Sequence, residues 1–324
     1  MSESMLPRHV DRTIVTVGTF DGVHRGHVDV LHRLVARARQ NGRASVLLTF
    51  AQHPLELLKP DVAPLMLTTR DEKLAAIAET GVDYVVVLPF TRTLAQHSAE
   101  QFVDVLLRDR LRMAELLIGH DHGFGRGRAG DVETLRQLGA VRGFGVEVVP
   151  PVETTDGQPV SSSRIRSAIA AGDLGAAQEG LGRLYGVCGT VVAGEARGRD
   201  LGFPTLNVMP ESPRKLLPPD GVYAVSVETG RGRFGGMMNL GGRPTFGDER
   251  RTIEAHLFDV SGDFYGTTVQ VDFVARLRDT QRFDGIDALK AQLAVDERDA
   301  RNALTVLAES ANLKGSMHFP PSTP

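Results

Sequence analysis

The texture of the chain changes near Gly182, and that change constrains the fold more than any other feature. Before it, short apolar runs of strand character alternate with segments whose apolar residues recur at helical spacing; after it, glycine-punctuated β-type runs follow one another without long helices between them. The strand runs of the first part are residues 13–17, 45–50, 84–88, 115–118 and 146–149. Among the intervening segments, Thr69 with Glu72 and Ser98 with Gln101 have capping-box spacing. This βα alternation predicts a parallel sheet covered by helices, with ligands at the carboxyl ends of its strands. In the second part, the runs 186–193, 222–227, 234–240, 252–258 and 267–273 predict an antiparallel barrel. Two helices are expected to close it, one near 286–294 and one after Asp296 that carries Ala300, Ala303, Leu304 and Leu307 on one face. A short helical linker is expected over 172–182, giving domains over 1–180 and 183–312 and a disordered tail over 313–324.

At 324 residues the chain exceeds the usual size of one domain. With 41% hydrophobic and 24% charged residues it can bury a core of ordinary size, and a net charge of −3 gives no basic field for nucleic acid. A single cysteine, Cys188, excludes an internal disulfide framework and a cysteine-rich zinc site. No apolar run reaches transmembrane length, and the first residues, with Glu3, Pro7, Arg8 and Asp11, lack the apolar segment of a signal peptide. A cytoplasmic protein with no membrane partner is expected.

The run Gly18-Thr19-Phe20-Asp21-Gly22-Val23-His24-Arg25-Gly26-His27 leads from the first strand into a helix whose apolar positions are Val28, Leu31, Leu34, Val35 and Ala38. The histidines fall on the turn and the first helical residues, where unpaired N–H groups and the helix dipole favour an anion. Residues three apart share a helix face, so His24 and His27 can address one phosphoryl group. Gly26 leaves no Cβ in the way, and imidazoles supply hydrogen bonds or positive charge as charge develops during transfer. A bare HxGH tetrapeptide also occurs as two surface histidines; its setting between strand and helix is what marks a phosphate site.

Three more segments of the first part suit a nucleotide. Thr49-Phe50-Ala51-Gln52-His53-Pro54 follows the second strand. Gly119-His120-Asp121-His122-Gly123-Phe124-Gly125-Arg126-Gly127-Arg128 follows the fourth; its glycines admit close backbone approach, and Asp121 can accept from ribose or base. Ser161-Ser162-Ser163-Arg164-Ile165-Arg166 opens a helix with hydroxyls and a fixed cation, Arg166. Taken singly, each has a plainer account as a loop, a helix cap or a turn. His120, Asp121 and His122, with His24 and His27, also invite a metal reading, but consecutive residues on an extended loop point apart, which favours hydrogen-bonding roles.

In the second part, Gly198-Arg199-Asp200-Leu201-Gly202-Phe203-Pro204-Thr205-Leu206-Asn207 places a hydroxyl and an amide on alternate residues, which face one way if the segment is extended. Such oxygen donors suit Mg²⁺ beside nucleotide phosphates. Glu254 sits on a candidate strand, where it can take a proton from a hydroxyl. From the residues alone, backbone pairing of Thr205 and Asn207 and an ordinary exposed glutamate is the simpler account.

Together these segments resemble the bacterial bifunctional riboflavin kinase/FAD synthetase family, in which an α/β nucleotidyltransferase domain precedes an antiparallel riboflavin kinase barrel. The run from Gly18 to His27 is similar to the family's HxGH adenylylation motif, and Gly119 to Asp131 to its glycine-rich ATP loop. Ser161 to Arg166 resembles its serine-serine-threonine segment, with Ser163 for threonine. Pro204 to Asn207 resembles the kinase's PTAN motif, with Leu206 for alanine, and Met238-Asn239-Leu240-Gly241 and Arg243-Pro244-Thr245-Phe246 also fit. Two further departures are Gln52, where the family's TFxPHP segment has proline, and Thr280, near which a glutamate is expected.

The resemblance implies ATP contacts at Gly18, Thr19, Phe20, Asp21, Gly22, His24, Gly26, His27, Gly119, Asp121, Phe124, Gly125, Ser161, Ser162, Ser163 and Arg166, and in the barrel at Gly198 and Gly202. It implies Mg²⁺ at Thr205 and Asn207, flavin contacts at Phe50, His53, Pro54, Asn239 and Arg278, and Glu254 as catalytic base. The implied activity is two consecutive reactions: riboflavin and ATP give FMN and ADP in the barrel, then FMN and ATP give FAD and pyrophosphate in the first domain. Two alternatives stand beside it: a nucleotidyltransferase for another phosphorylated acceptor, and a flavin sensor with a degraded kinase site, motivated by Leu206 and Thr280. The PTAN-like barrel favours flavin.

Overall fold

The computed structural model describes residues 5–120, 123–194, 202–242 and 251–313. Asp121 and Gly198, the segment 243–250 and the expected tail from residue 314 onward lie outside the described residues. The chain forms two compact units, Met1–Ser162 and Ser163–Pro324.

The first unit is a five-stranded sheet of β1 (Thr13–Val17), β2 (Ala44–Phe50), β3 (Tyr84–Leu88), β4 (Met113–Gly119) and β5 (Gly145–Val149), in the order β3-β2-β1-β4-β5. Every neighbouring pair is parallel. Its helices are α1 (Arg25–Gln40), α2 (Pro54–Leu58), α3 (Arg70–Ala78), α4 (Arg92–Gln96), α5 (Ala99–Gln101) and α6 (Val132–Arg142). Both expected capping boxes form, at Thr69 and Ser98; the helix that Ser98 opens continues as a π-helix over Phe102–Arg110.

Both faces of the sheet are covered, as β1 shows residue by residue. Val15 and Val17 join the cluster of Phe102, Val103, Leu106 and Leu107, whereas Ile14 joins Leu31, Leu34 and Ala38 of α1 and Ile77 of α3. Because side chains alternate along a strand, a parallel sheet buried on both faces reads as a nearly continuous apolar run. The strand order reverses between β1 and β4, and ligands of open α/β sheets sit outside the carboxyl ends at such a point.

The second unit holds α7 (Ser162–Ala170), apart from its first residue, and α8 (Leu174–Leu181), which Gly182 ends at φ 76°. They precede a closed barrel of β6 (Gly186–Val192), β7 (Leu206–Pro210), β8 (Gly221–Thr229), β9 (Gly232–Gly242), β10 (Arg251–Leu257) and β11 (Thr268–Arg278), in the order β10-β7-β6-β11-β8-β9. All its pairings are antiparallel. Tyr223, Val225, Leu240, Ile253, Val208, Val271 and Phe273 are buried on the inner face. The outer face of Ala224 and Met237 packs against Ala300 of α9 (Ile286–Leu313).

Two details differ from expectation. The barrel has a sixth strand, β7, Leu-Asn-Val-Met-Pro, in which Asn207 and Pro210 break the apolar run and only Val208 is buried. The two closing helices are one, the 28-residue α9, because no glycine or proline interrupts residues 294–297. Asp296, which reads as the start of a second helix, is 2% exposed and receives the guanidinium of Arg278 instead. No described helix is long and apolar enough to cross a membrane.

Candidate active sites

At the end of β1 the chain makes a tight turn. Phe20 and Val23 take left-handed conformations at φ 49° and 38°, which cost about 1–3 kcal/mol each for non-glycine residues. Buried hydrogen bonds hold the turn in place. The carboxylate of Asp21 accepts from the N–H groups of Leu67 and Thr68, both at 3.0 Å, and from the Thr68 hydroxyl at 3.2 Å. Gly22 donates its N–H to the same hydroxyl at 3.0 Å; it sits at φ 82°, and a Cβ there would stand 2.7 Å from Leu67. Asp21 thus anchors the loop.

His24 caps α1. Its Nδ1 accepts the N–H of His27 at 3.3 Å, which in the neutral ring leaves the proton on Nε2. The two imidazoles stack at 3.6 Å between centroids, and the Phe20 ring lies 4.6 Å from His27. A Cβ at Gly26 would come within 3.3 Å of the His24 ring, so glycine admits the stack. Ser162 Oγ donates to the carbonyl of Asp21 at 2.9 Å, joining the start of α7 to the turn. Ser163 and Arg166 follow on α7, Arg166 one turn beyond Ser162 on the same helix face.

Lys73, which the sequence reading did not single out, lies between the β1 and β2 ends and is 4% exposed. Its Nζ donates to the Phe50 carbonyl at 2.7 Å and the Thr19 carbonyl at 3.3 Å. Burial lowers its pKa from the ordinary lysine value, with Asp21 opposing that effect. The one available signal was position: Lys73 stands four residues before the buried Ile77 on an inward helix face.

The remaining first-unit candidates divide by role. His53 caps α2, with Nδ1 accepting from Leu55 N–H at 3.2 Å and Pro54 in the first helical turn, and Gln52 donates to the Phe90 carbonyl at 3.1 Å. The Phe50 ring is buried edge-on to Phe90, and Phe124 packs on Phe102 at 4.6 Å. Both rings therefore belong to the core. Gly125, at φ 78°, lets the loop run against Ala99, whose N would lie 2.8 Å from a Cβ. Gly119 ends β4 at the same sheet edge as the turn.

In the barrel, β-sheet register makes a polar row. Glu254 of β10 pairs with Asn207 of β7 on one side and Asn239 of β9 on the other. Directly paired residues hold their Cβ atoms about 4.5–5.5 Å apart, so the three side chains stand together on the outer face. Leu206 pairs with Ala255 and belongs to the opposite face, so its replacement of alanine leaves the row intact. Asn207 lies over Gly194, where a Cβ would stand 2.0 Å from its amide nitrogen. His256 Nδ1 donates to the Pro204 carbonyl at 2.8 Å and so fixes the segment leading to Thr205. A cavity of about 510 Å³ is lined among others by Pro204, Thr205, Leu206, Leu257 and Phe264. Gly202 is exposed at φ 87°.

Comparison with known proteins accounts for both halves. A family model for FAD synthetase matches residues 6–164, and one for riboflavin kinase matches residues 181–304. The bifunctional riboflavin kinase/FMN adenylyltransferase of Escherichia coli strain K12 is 40% identical over 289 residues, 89% of this chain and 91% of that one. This chain belongs to the bifunctional riboflavin kinase/FMN adenylyltransferase family. The Bacillus subtilis relative of the same description is 32% identical over 293 residues, 89% of this chain and 92% of its own. A solved structure described as a macrolide-efflux protein from Streptococcus pneumoniae superposes with a TM-score of 0.83 at 33% identity, covering 92% of this chain and 96% of that one.

Within the riboflavin kinase unit, Arg278 is an anchor. Its Nε and Nη2 donate to the two Asp296 oxygens at 2.8 and 2.6 Å, and its guanidinium lies 5.7 Å from the Phe283 ring centroid. Thr280 is exposed, its methyl 3.8 Å from where a Cβ of Gly241 would stand. Within the FAD synthetase unit, Gln52 ties the loop after β2 to the loop after β3, a link that proline cannot donate.

Proposed function

We propose that the histidine turn is the adenylyl-transfer site and that the Asn207–Glu254–Asn239 row, with Thr205, is the riboflavin kinase site. The observation that carries this reading is that the stacked His24 and His27 lie at the carboxyl edge of the parallel sheet of one unit, while Asn207, Glu254 and Asn239 lie on three paired strands of the barrel in the other. Riboflavin and ATP give FMN and ADP at the barrel, and FMN and ATP give FAD and pyrophosphate at the carboxyl edge of the parallel sheet.

In the kinase, Glu254 accepts the proton of the ribityl 5′-hydroxyl as its oxygen attacks the γ-phosphoryl group of ATP. The Thr205 hydroxyl and the Asn207 amide oxygen are hard donors that fit Mg²⁺, and the Asn207 amide is held in place over Gly194. When bound, Mg²⁺ neutralises charge on the ATP phosphates. The cavity beside Thr205 takes the nucleotide, with Gly198 and Gly202 cradling phosphates, and Asn239 contacts the flavin. In the adenylyltransferase, an oxygen of the FMN phosphate attacks the α-phosphorus of ATP and pyrophosphate leaves. His24, donating through Nε2, and His27 stabilise the charge that builds up, near the positive end of α1. Ser162, whose hydroxyl donates to the Asp21 carbonyl, contributes to ATP binding, while His53 and Pro54 shape the flavin side. Consumption of ATP fits a cytoplasmic location.

Incubation of two variants with riboflavin, ATP and Mg²⁺, followed by chromatography of the flavins, tests the assignment. His27→Ala is expected to make FMN and no FAD; Glu254→Gln is expected to make no FMN from riboflavin yet to make FAD from added FMN. Loss of both activities in either folded variant would contradict the division.

A further inference from the structure

The three donors of the Lys73 ammonium converge on the ends of β1 and β2. Besides the carbonyls of Phe50 and Thr19, Nζ lies 3.4 Å from Thr49 Oγ1, which itself donates to the Thr19 carbonyl at 3.1 Å. A buried ammonium is costly for the fold, whereas an apolar side chain would fill the same space without that cost. What the charge achieves is local. Two donors pull the Thr19 carbonyl toward Lys73, and because the peptide is planar and trans, the N–H of Phe20 faces the other way. Phe20 is also the residue held at φ 49° with its ring against His27.

We propose that Lys73 is a positioning residue for adenylyl transfer, locking the Thr19–Phe20 peptide in the one orientation that meets the ATP phosphates. The proposal rests on the assignment of the histidine turn to ATP. Without the ammonium, the strained turn relaxes into other conformations, and ATP binds only the fraction that remains competent. Apparent affinity falls by that fraction. Loss of folded protein, by contrast, lowers the maximal rate and leaves KM alone.

The test measures FAD formation from FMN at varied ATP in the full chain carrying Lys73→Met, beside FMN formation from riboflavin in the same preparation. The KM for ATP in FAD formation is expected to rise about tenfold or more, the result of a competent fraction near one tenth, with the KM for ATP in FMN formation unchanged. An unchanged KM for ATP in FAD formation overturns the proposal, whatever the maximal rate does. Where Lys73→Met fails to fold, Thr49→Val removes the shared hydroxyl; a rise in the same KM supports the proposal and no rise overturns it. His27→Ala, assayed alongside, separates the two layers. If it forms FAD at the parent rate, the site assignment fails and the Lys73 proposal with it. If it is inactive while Lys73→Met keeps the parent KM, the Lys73 proposal alone fails.

Discussion

Gly194 and Asn207 show how one missing carbon shapes a site. Since a Cβ at Gly194 would stand 2.0 Å from the Asn207 amide nitrogen and 2.4 Å from its Cγ, Gly194→Ala must displace the side chain proposed to hold Mg²⁺. FMN formation is expected to fall about tenfold or more, about 1.4 kcal/mol at the transition state, while FAD formation from added FMN continues at the parent rate. Steady-state assay of both products checks this. A motif names the glycines and histidines of such a site, but it does not say which side chains face a ligand. Asp21 stands inside the adenylylation motif, yet its carboxylate is engaged by Leu67 and Thr68. Lys73 stands outside every motif, yet it holds the motif's backbone. Both roles depend on contacts across 46 and 54 residues of chain, which no local pattern encodes.

At the scale of elements, α9 is held to the barrel by the fork of Arg278 on Asp296, a carboxylate that also accepts from Gln292 at 2.9 Å. Removing one partner of such a pair leaves a buried charge uncompensated. Arg278→Ala is therefore expected to destabilise the barrel unit by about 3 kcal/mol, the lower end of what breaking a buried pair costs, seen as a lower denaturant midpoint by a probe in that unit. If Arg278 acted through the flavin instead, the riboflavin KM would rise and the midpoint would hold. The same contact explains why α9 was legible only in two pieces. Its apolar face was visible in Ala300, Ala303 and Leu304, but Asp296 carries the local signature of a helix start, and burial against Arg278 overrides it. The strands buried on both faces were legible nearly to their ends, whereas the five-residue β7 was recognisable only through its pairing with β6 and β10.

At the scale of the whole molecule, two compact units carry two chemistries that share one intermediate, FMN. Each unit has its own core. A mixture of the His27→Ala and Glu254→Gln chains is expected to form FAD from riboflavin although neither does so alone, with FMN preceding FAD in the chromatographic time course. A mixture that makes FMN and stops there would show that the second chain does not take up FMN released by the first. The sequence alone carried the order of a parallel α/β half followed by an antiparallel barrel, an HxGH turn at a strand end in the first, and a PTAN-like segment and a strand glutamate in the second. These are patterns of period and short spacing, carried by neighbouring residues. That Glu254 stands between Asn207 and Asn239, that Leu206 faces away from them, and that Lys73 reaches under the histidine turn is visible in the fold alone. Register and long-range burial set those placements, and both arise only once strands distant in sequence have paired.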